Sequence, residues 1–135
     1  MASILKVDTI TGVATAGSIA ITGEGNSTTT NLQQGLAKTW LNHKGSGSGD
    51  VIRDSLNTAS ATDNGTGHYT YTFTTAFSND DFSFVYGGAQ SGAETTFQMS
   101  TAAQATGTHS IQLKNAAGTV TDRDFICGTF HGDLA

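Results

Sequence analysis

The side chains able to do chemistry in this sequence are few and far apart. Its four histidines, His43, His68, His109 and His131, fall in four different segments. None shows the His-x-His, HExxH or paired spacing that gathers metal ligands on one element. Each is therefore expected to face solvent or to be held by a hydrogen bond. Were three chains to meet on an axis, His131, beside the closing segment, could bind an ion by symmetry. The single cysteine, Cys127, sits among apolar neighbours and reads as buried and inert rather than nucleophilic. Alone, it cannot close an intrachain disulfide, so nothing suggests folding in an oxidising compartment.

Carboxylates crowd together in "SNDDF" (78–82) and "DRD" (122–124). Neither offers the spaced oxygens of a calcium loop, and turn chemistry accounts for both. A carboxylate pair for glycoside hydrolysis can converge from distant strands, but nothing in the sequence points to one. "GEGNSTTT" (23–30) and "GSGSG" (45–49) lack the lysine of a phosphate-cradling loop. Asn26-Ser27-Thr28 and Asn64-Gly65-Thr66 match the glycosylation acceptor, without a secretory signal to make use of it. Trp40, Tyr69 and Tyr71 could stack on a sugar, but alternation with Phe73 assigns the tyrosines, and size assigns Trp40, to packing. No catalytic, cofactor-binding or metal residue is assigned, no ligand-binding residue can be named, and the expectation is a protein that is not an enzyme and needs no cofactor.

Charge points the same way. With six Lys and Arg against eleven Asp and Glu, the net charge is -5, and the basic residues are scattered, so no nucleic-acid footprint is expected. No apolar run approaches the roughly 20 residues that span a bilayer. The N-terminus lacks the basic region and apolar core of a signal peptide, so synthesis in cytoplasm without membrane insertion is expected.

The elements that must hold these residues are strands. Charged residues make up 13% of the chain, about half the usual share. There are 17 glycines and no proline, where ordinary usage would supply roughly seven prolines. Threonine is abundant and the common helix formers are scarce, which favours β structure. "ASATD" (59–63) and "HYTYTF" (68–73) flank Asn64-Gly65-Thr66-Gly67, the signature of a hairpin with Tyr69, Tyr71 and Phe73 on one face. Further strands are read at 40–44, 51–57, 82–88, in "TTFQMS", in "SIQLKN" and in "DFICGTFHG". Such strands at roughly 8–12-residue spacing with glycine turns predict an antiparallel sandwich. Its expected core contains Trp40, Tyr71, Phe73, Phe82, Phe84, Phe97, Ile111, Leu113 and Phe125.

All aromatics lie from Trp40 onward, so the rest of the chain, 38–135, can form a core by itself while 1–37 cannot. The first part carries Ile4, Leu5, Val7, Ile10, Val13, Ile19, Ile21, Leu32 and Leu36 among small and polar residues. "ILKVDTI" and "SIAIT" read as strands with apolar residues on both faces, enclosed in an assembly. "NLQQGLA" (31–37) predicts a short helix, with Leu32 and Leu36 one turn apart. The reading is an extended docking and oligomerisation arm over 1–37, then a sandwich. Strand edges without proline or much charge are expected to be covered by neighbours.

"ILKVDTITGVATAGSIAITGEG" with "TTNLQQGLAKTW" resembles the N-terminus of small tail-fibre and appendage proteins of marine tailed bacteriophages, cyanophages especially. "GLAKTW" with "DSLNTASATDNGTGHYTYTF" resembles the β-sandwich segment of those proteins, and "GTFHGD" their closing strand. The resemblance is strong over 4–74 and looser over 75–135. It implies a jelly-roll-like sandwich in a virion structural component, a homotrimer docked by its arm on other tail or capsid proteins. The function read from it is a tail-fibre or tail-appendage subunit contacting the host surface, with a capsid head fibre or decoration protein, or a glycan-binding module, as the alternatives.

Overall fold

Period-two burial governs most of the chain, because alternate side chains of a strand point to opposite faces. The computed structural model describes residues 5–12, 19–23, 28–46, 51–89 and 97–135. The chain divides into two compact units, Met1–Leu36 and Ala37–Ala135.

In the first unit, β1 (Ala20–Thr22) pairs antiparallel with β2 (Thr29–Asn31), Ile21 opposite Thr30. One helical turn follows, α1 (Leu32–Gly35), and the Leu32 N–H donates back to the Ile19 carbonyl at 2.8 Å. Where the sequence predicts an extended arm and a short helix over 31–37, the described residues hold a two-stranded ladder and a single helical turn. A single turn fixes several dihedrals for little hydrogen bonding, and Gly35 weakens it further. No strand forms over the described residues 5–10 of "ILKVDTI": its aliphatics find no partner strand there, and Leu5, Val7 and Ile10 are exposed. Ile4 and Val13 lie outside the described residues.

The second unit is mainly β and antiparallel. One sheet orders β4 (Val51–Leu56), β3 (Thr39–Lys44), β10 (Phe125–His131) and β7 (Ser83–Ala89). The other orders β5 (Thr58–Asp63), β6 (His68–Phe73), β9 (Thr108–Asn115) and β8 (Phe97–Ala105). Their inner faces meet in one core of Leu41, Tyr69, Tyr71, Phe73, Phe77, Phe82, Ile111, Leu113, Ile126 and Phe130. The aromatics interlock edge to face, as their quadrupoles favour: Phe130 stands 5.2 Å from Phe73 and 5.5 Å from Tyr86, ring centre to ring centre. Gly128 makes room for that packing. A Cβ there would clash with the Tyr86 ring.

Two turns set the topology. Between β4 and β5 the chain changes sheets at Asn57, a residue with φ 58°, the left-handed conformation Asn tolerates better than most. Its side chain locks the corner: Nδ2 donates to Thr39 Oγ1 and the Thr75 carbonyl, and Oδ1 accepts from the Thr75 N–H. The β5–β6 hairpin is closed by residues 64–67, with Asp63 opposite Tyr69. There positive φ is taken by Gly65 (120°) and Gly67 (62°).

Three core expectations change. Trp40 is half-buried and lies on the other face of β3 from buried Thr39, Leu41 and His43. Phe125 is 44% exposed, while Ile126 and Phe130 fill the core from the alternate positions of β10. Cys127 shares the outward face with Phe125 and is exposed rather than buried. In each case a large or apolar side chain was placed inward for its size, while its neighbours already fixed the opposite phase. The side chain of Phe97 lies outside the description.

Candidate functional site

The carboxylate-rich segments resolve into fold chemistry. The Asp122 carboxylate accepts from the Gly67 N–H at 2.6 Å and from the Tyr69 hydroxyl at 2.8 Å. That hydroxyl also meets the Gly45 carbonyl, the Gly45 N–H donates to the Arg123 carbonyl, and Ser46 donates to Asp124. Buried Arg123 lies in the middle of this clasp, which ties the segment before β10 to the β5–β6 hairpin. In "SNDDF", Asn79 Oδ1 accepts from the Asp81 N–H at 3.0 Å, and Gln104 Nε2 binds the Asp80 and Phe82 carbonyls. The "SNDDF" segment is held by a local turn bond, as turn chemistry expects, whereas the "DRD" segment is held by bonds to residues more than 50 positions away.

The histidines separate by face. His68 and His131 are half-buried on β6 and β10. His43 and His109 are fully buried between the sheets. His43 Nδ1 lies 3.2 Å from the Tyr71 hydroxyl. Burial, aided by the nearby Arg53 cation and opposed by Asp63, lowers the His43 pKa to about 4. Burial alone lowers that of His109 to about 4, because desolvation penalises the charged imidazolium. Among the described residues no group of three His, Cys, Asp or Glu side chains could hold a metal ion, and no described helix is long and apolar enough to cross a membrane. Asn26 and Ser27 of the first glycosylation match, and 47–49 of "GSGSG", lie outside the described residues.

What remains is a surface. On the outer face of the β4-β3-β10-β7 sheet, Leu56 pairs with Trp40, Trp40 with Thr129, and Thr129 with Val85. This row crosses all four strands. Leu56 and Val85 are exposed, Val85 to 69%. Beside it, pairing slips between Asn42 and His43, leaving Arg53 as the extra residue of a bulge. Such bulges re-aim side chains, and here the Arg53 guanidinium covers the Phe125 ring at 4.3 Å and reaches Asn42 Oδ1 at 3.3 Å. A row of apolar side chains interrupted only by Thr129, on an exposed sheet face, is the kind of feature that marks a contact surface. The sequence carried its signal: in "TWLNHK" Trp40 alternates with Asn42 and Lys44, a surface pattern.

The first unit also exposes apolar side chains. Its described aliphatics Leu5, Val7, Ile10, Ile21 and Leu36 are each more than half exposed, Leu5 to 81%. Burying a side chain of this kind stabilises a contact by about 2 kcal/mol. The arrangement can therefore drive association; it does not converge donors, acids and bases on a point. Compared with family models, curated proteins and solved structures, the chain matches none.

Proposed function

We propose that this chain is a structural subunit of a bacteriophage virion, a trimeric tail-fibre or tail-appendage protein without catalytic activity, docked through residues 1–37. The observation that carries the reading is the exposure of Leu5, Val7, Ile10, Ile21 and Leu36 together in a unit whose described ladder is only two strands. An isolated two-stranded ladder is marginal in water, so this unit gains most of its stability on docking, with its ordering coupled to binding. The sandwich supplies its own core and so serves as the outward-projecting part. Its jelly-roll-like character finds support in the first and last sandwich strands, β3 and β10, lying side by side.

Light scattering on the full chain and on residues 37–135 tests the assembly. The full chain is expected at about three times its 13.9 kDa mass, and the truncated chain as a folded monomer. A full-length monomer would remove autonomous trimerisation and leave docking on other virion proteins as the task of residues 1–37. A trimeric 37–135 would move the contact to the sandwich, where the row through Trp40 becomes its site.

A further inference from the structure

The interior of the sandwich contains two buried imidazoles, and one of them, His43, has the Tyr71 hydroxyl 3.2 Å from its Nδ1. His109 on β9 is 0% exposed, and neither of its ring nitrogens has a hydrogen-bond partner among the described residues. Aromatic rings of β7, β10 and the segment before β7 crowd against it. Phe84 and Tyr86 of β7 stand 4.3 and 5.7 Å from it, Phe130 of β10 5.5 Å, and Phe82 of the segment before β7 5.9 Å, ring centre to ring centre. Its strand neighbours are Tyr71 on β6 and Gln104 on β8. Not one of these groups is charged, and the stacked Tyr86 has its own buried hydroxyl without a partner. His43, from the opposite sheet, touches Tyr69 and Tyr71 edge to face at 5.1 and 5.6 Å. The charged groups that act on it are Arg53 of β4, which opposes a second positive charge, and Asp63 of β5, which favours one. Across β10 its strand partner is Ile126.

We propose that His109 and His43 make the sandwich an acid-opened device, closed while both imidazoles are neutral and parting between the two sheets when they take up protons. An imidazolium at His109 would be a buried charge with no counter-charge and no acceptor facing it among the described residues, which the fold cannot hold without admitting water. The sign follows from linkage. Both folded-state values, about 4, lie below the ordinary 6.5. The unfolded chain therefore binds more protons than the folded one between those limits, and stability falls as pH drops from 6.5 toward 4.

The test is the pH dependence of unfolding of the full chain between pH 5 and 6.5, a window above the ordinary range of carboxylates. The unfolding constant of the sandwich is expected to rise by up to about tenfold per pH unit for each histidine on acidification. In His109→Phe, which keeps an aromatic ring in the site, the dependence is expected to lose about one proton. A slope unchanged in that variant would overturn the role of His109. Should the variant fail to fold, titration of the wild-type imidazole C–H resonances by NMR decides the matter. His109 staying neutral until the protein opens supports the device, and His109 titrating near 6.5 in a chain that remains folded overturns it.

Discussion

Gly67→Ala is expected to destabilise the sandwich by about 3 kcal/mol or more, lowering its melting temperature by roughly 12 °C or more. Two costs add at this residue. Its φ of 62° is a conformation that disfavours a side chain. A Cβ there would also lie 2.6 Å from the Thr121 carbonyl oxygen, 2.8 Å from that of Leu113 and 2.9 Å from the Thr121 nitrogen. All three are backbone atoms, so relief means moving the end of β9 and the segment leading to β10. Movement would strain bonds already made, since the Gly67 N–H donates to Asp122 and its carbonyl accepts from the Leu113 N–H at 2.7 Å. Gly118→Ala is the control. It shares the positive φ, 83°, but a Cβ there meets nothing within 4 Å, so only the backbone cost of about 1 kcal/mol remains. Thermal unfolding of both variants checks the difference; equal losses would mean that the close approach at Gly67 is not real.

The second large effect separates the two phenylalanines of β10. Phe130→Ala is expected to cost about 4 kcal/mol, because its fully buried ring touches Phe73, Phe82, Phe84, Tyr86 and His109 and both sheets would lose contacts to the cavity. Phe125→Ala should cost about 1 kcal/mol or less: its ring is 44% exposed and covered chiefly by Arg53. Denaturant titration of the two variants reads the ratio. A larger loss at Phe125 would reverse the register of β10 and place the Trp40 row inside.

That pair also shows what the sequence could and could not reveal. Residues 58–73 were legible because local chemistry decides them: Asn64-Gly65-Thr66-Gly67 can only be a turn, and the alternation of Tyr69, Tyr71 and Phe73 gives their shared face. In "DFICGTFHG" alternation offered two phases, one with Phe125 and Cys127, the other with Ile126 and Phe130. Only the neighbouring strands break that tie, through Ile126 opposite His43 and Phe130 opposite Phe84. Trp40 was placed inward on size, against the polar phase it shares with Asn42 and Lys44. The clasp at Asp122 was not legible at all, since its partners Gly67 and Tyr69 are 55 and 53 residues away. Nor was the burial of His43 and His109, because a histidine on a strand gives no local sign of which face it will take. In the first unit, "ILKVDTI" has strand composition, but composition cannot supply the partner strand that would order it.

The central proposal, a chain whose work is assembly into a virion, is tested most directly by mass spectrometry of purified phage particles from cells expressing this chain during infection. The intact chain is expected in washed particles at a fixed copy number, a multiple of three, and is expected to be lost from them when residues 1–36 are deleted although the sandwich is still made. A chain abundant in the infected lysate yet absent from purified particles would contradict it.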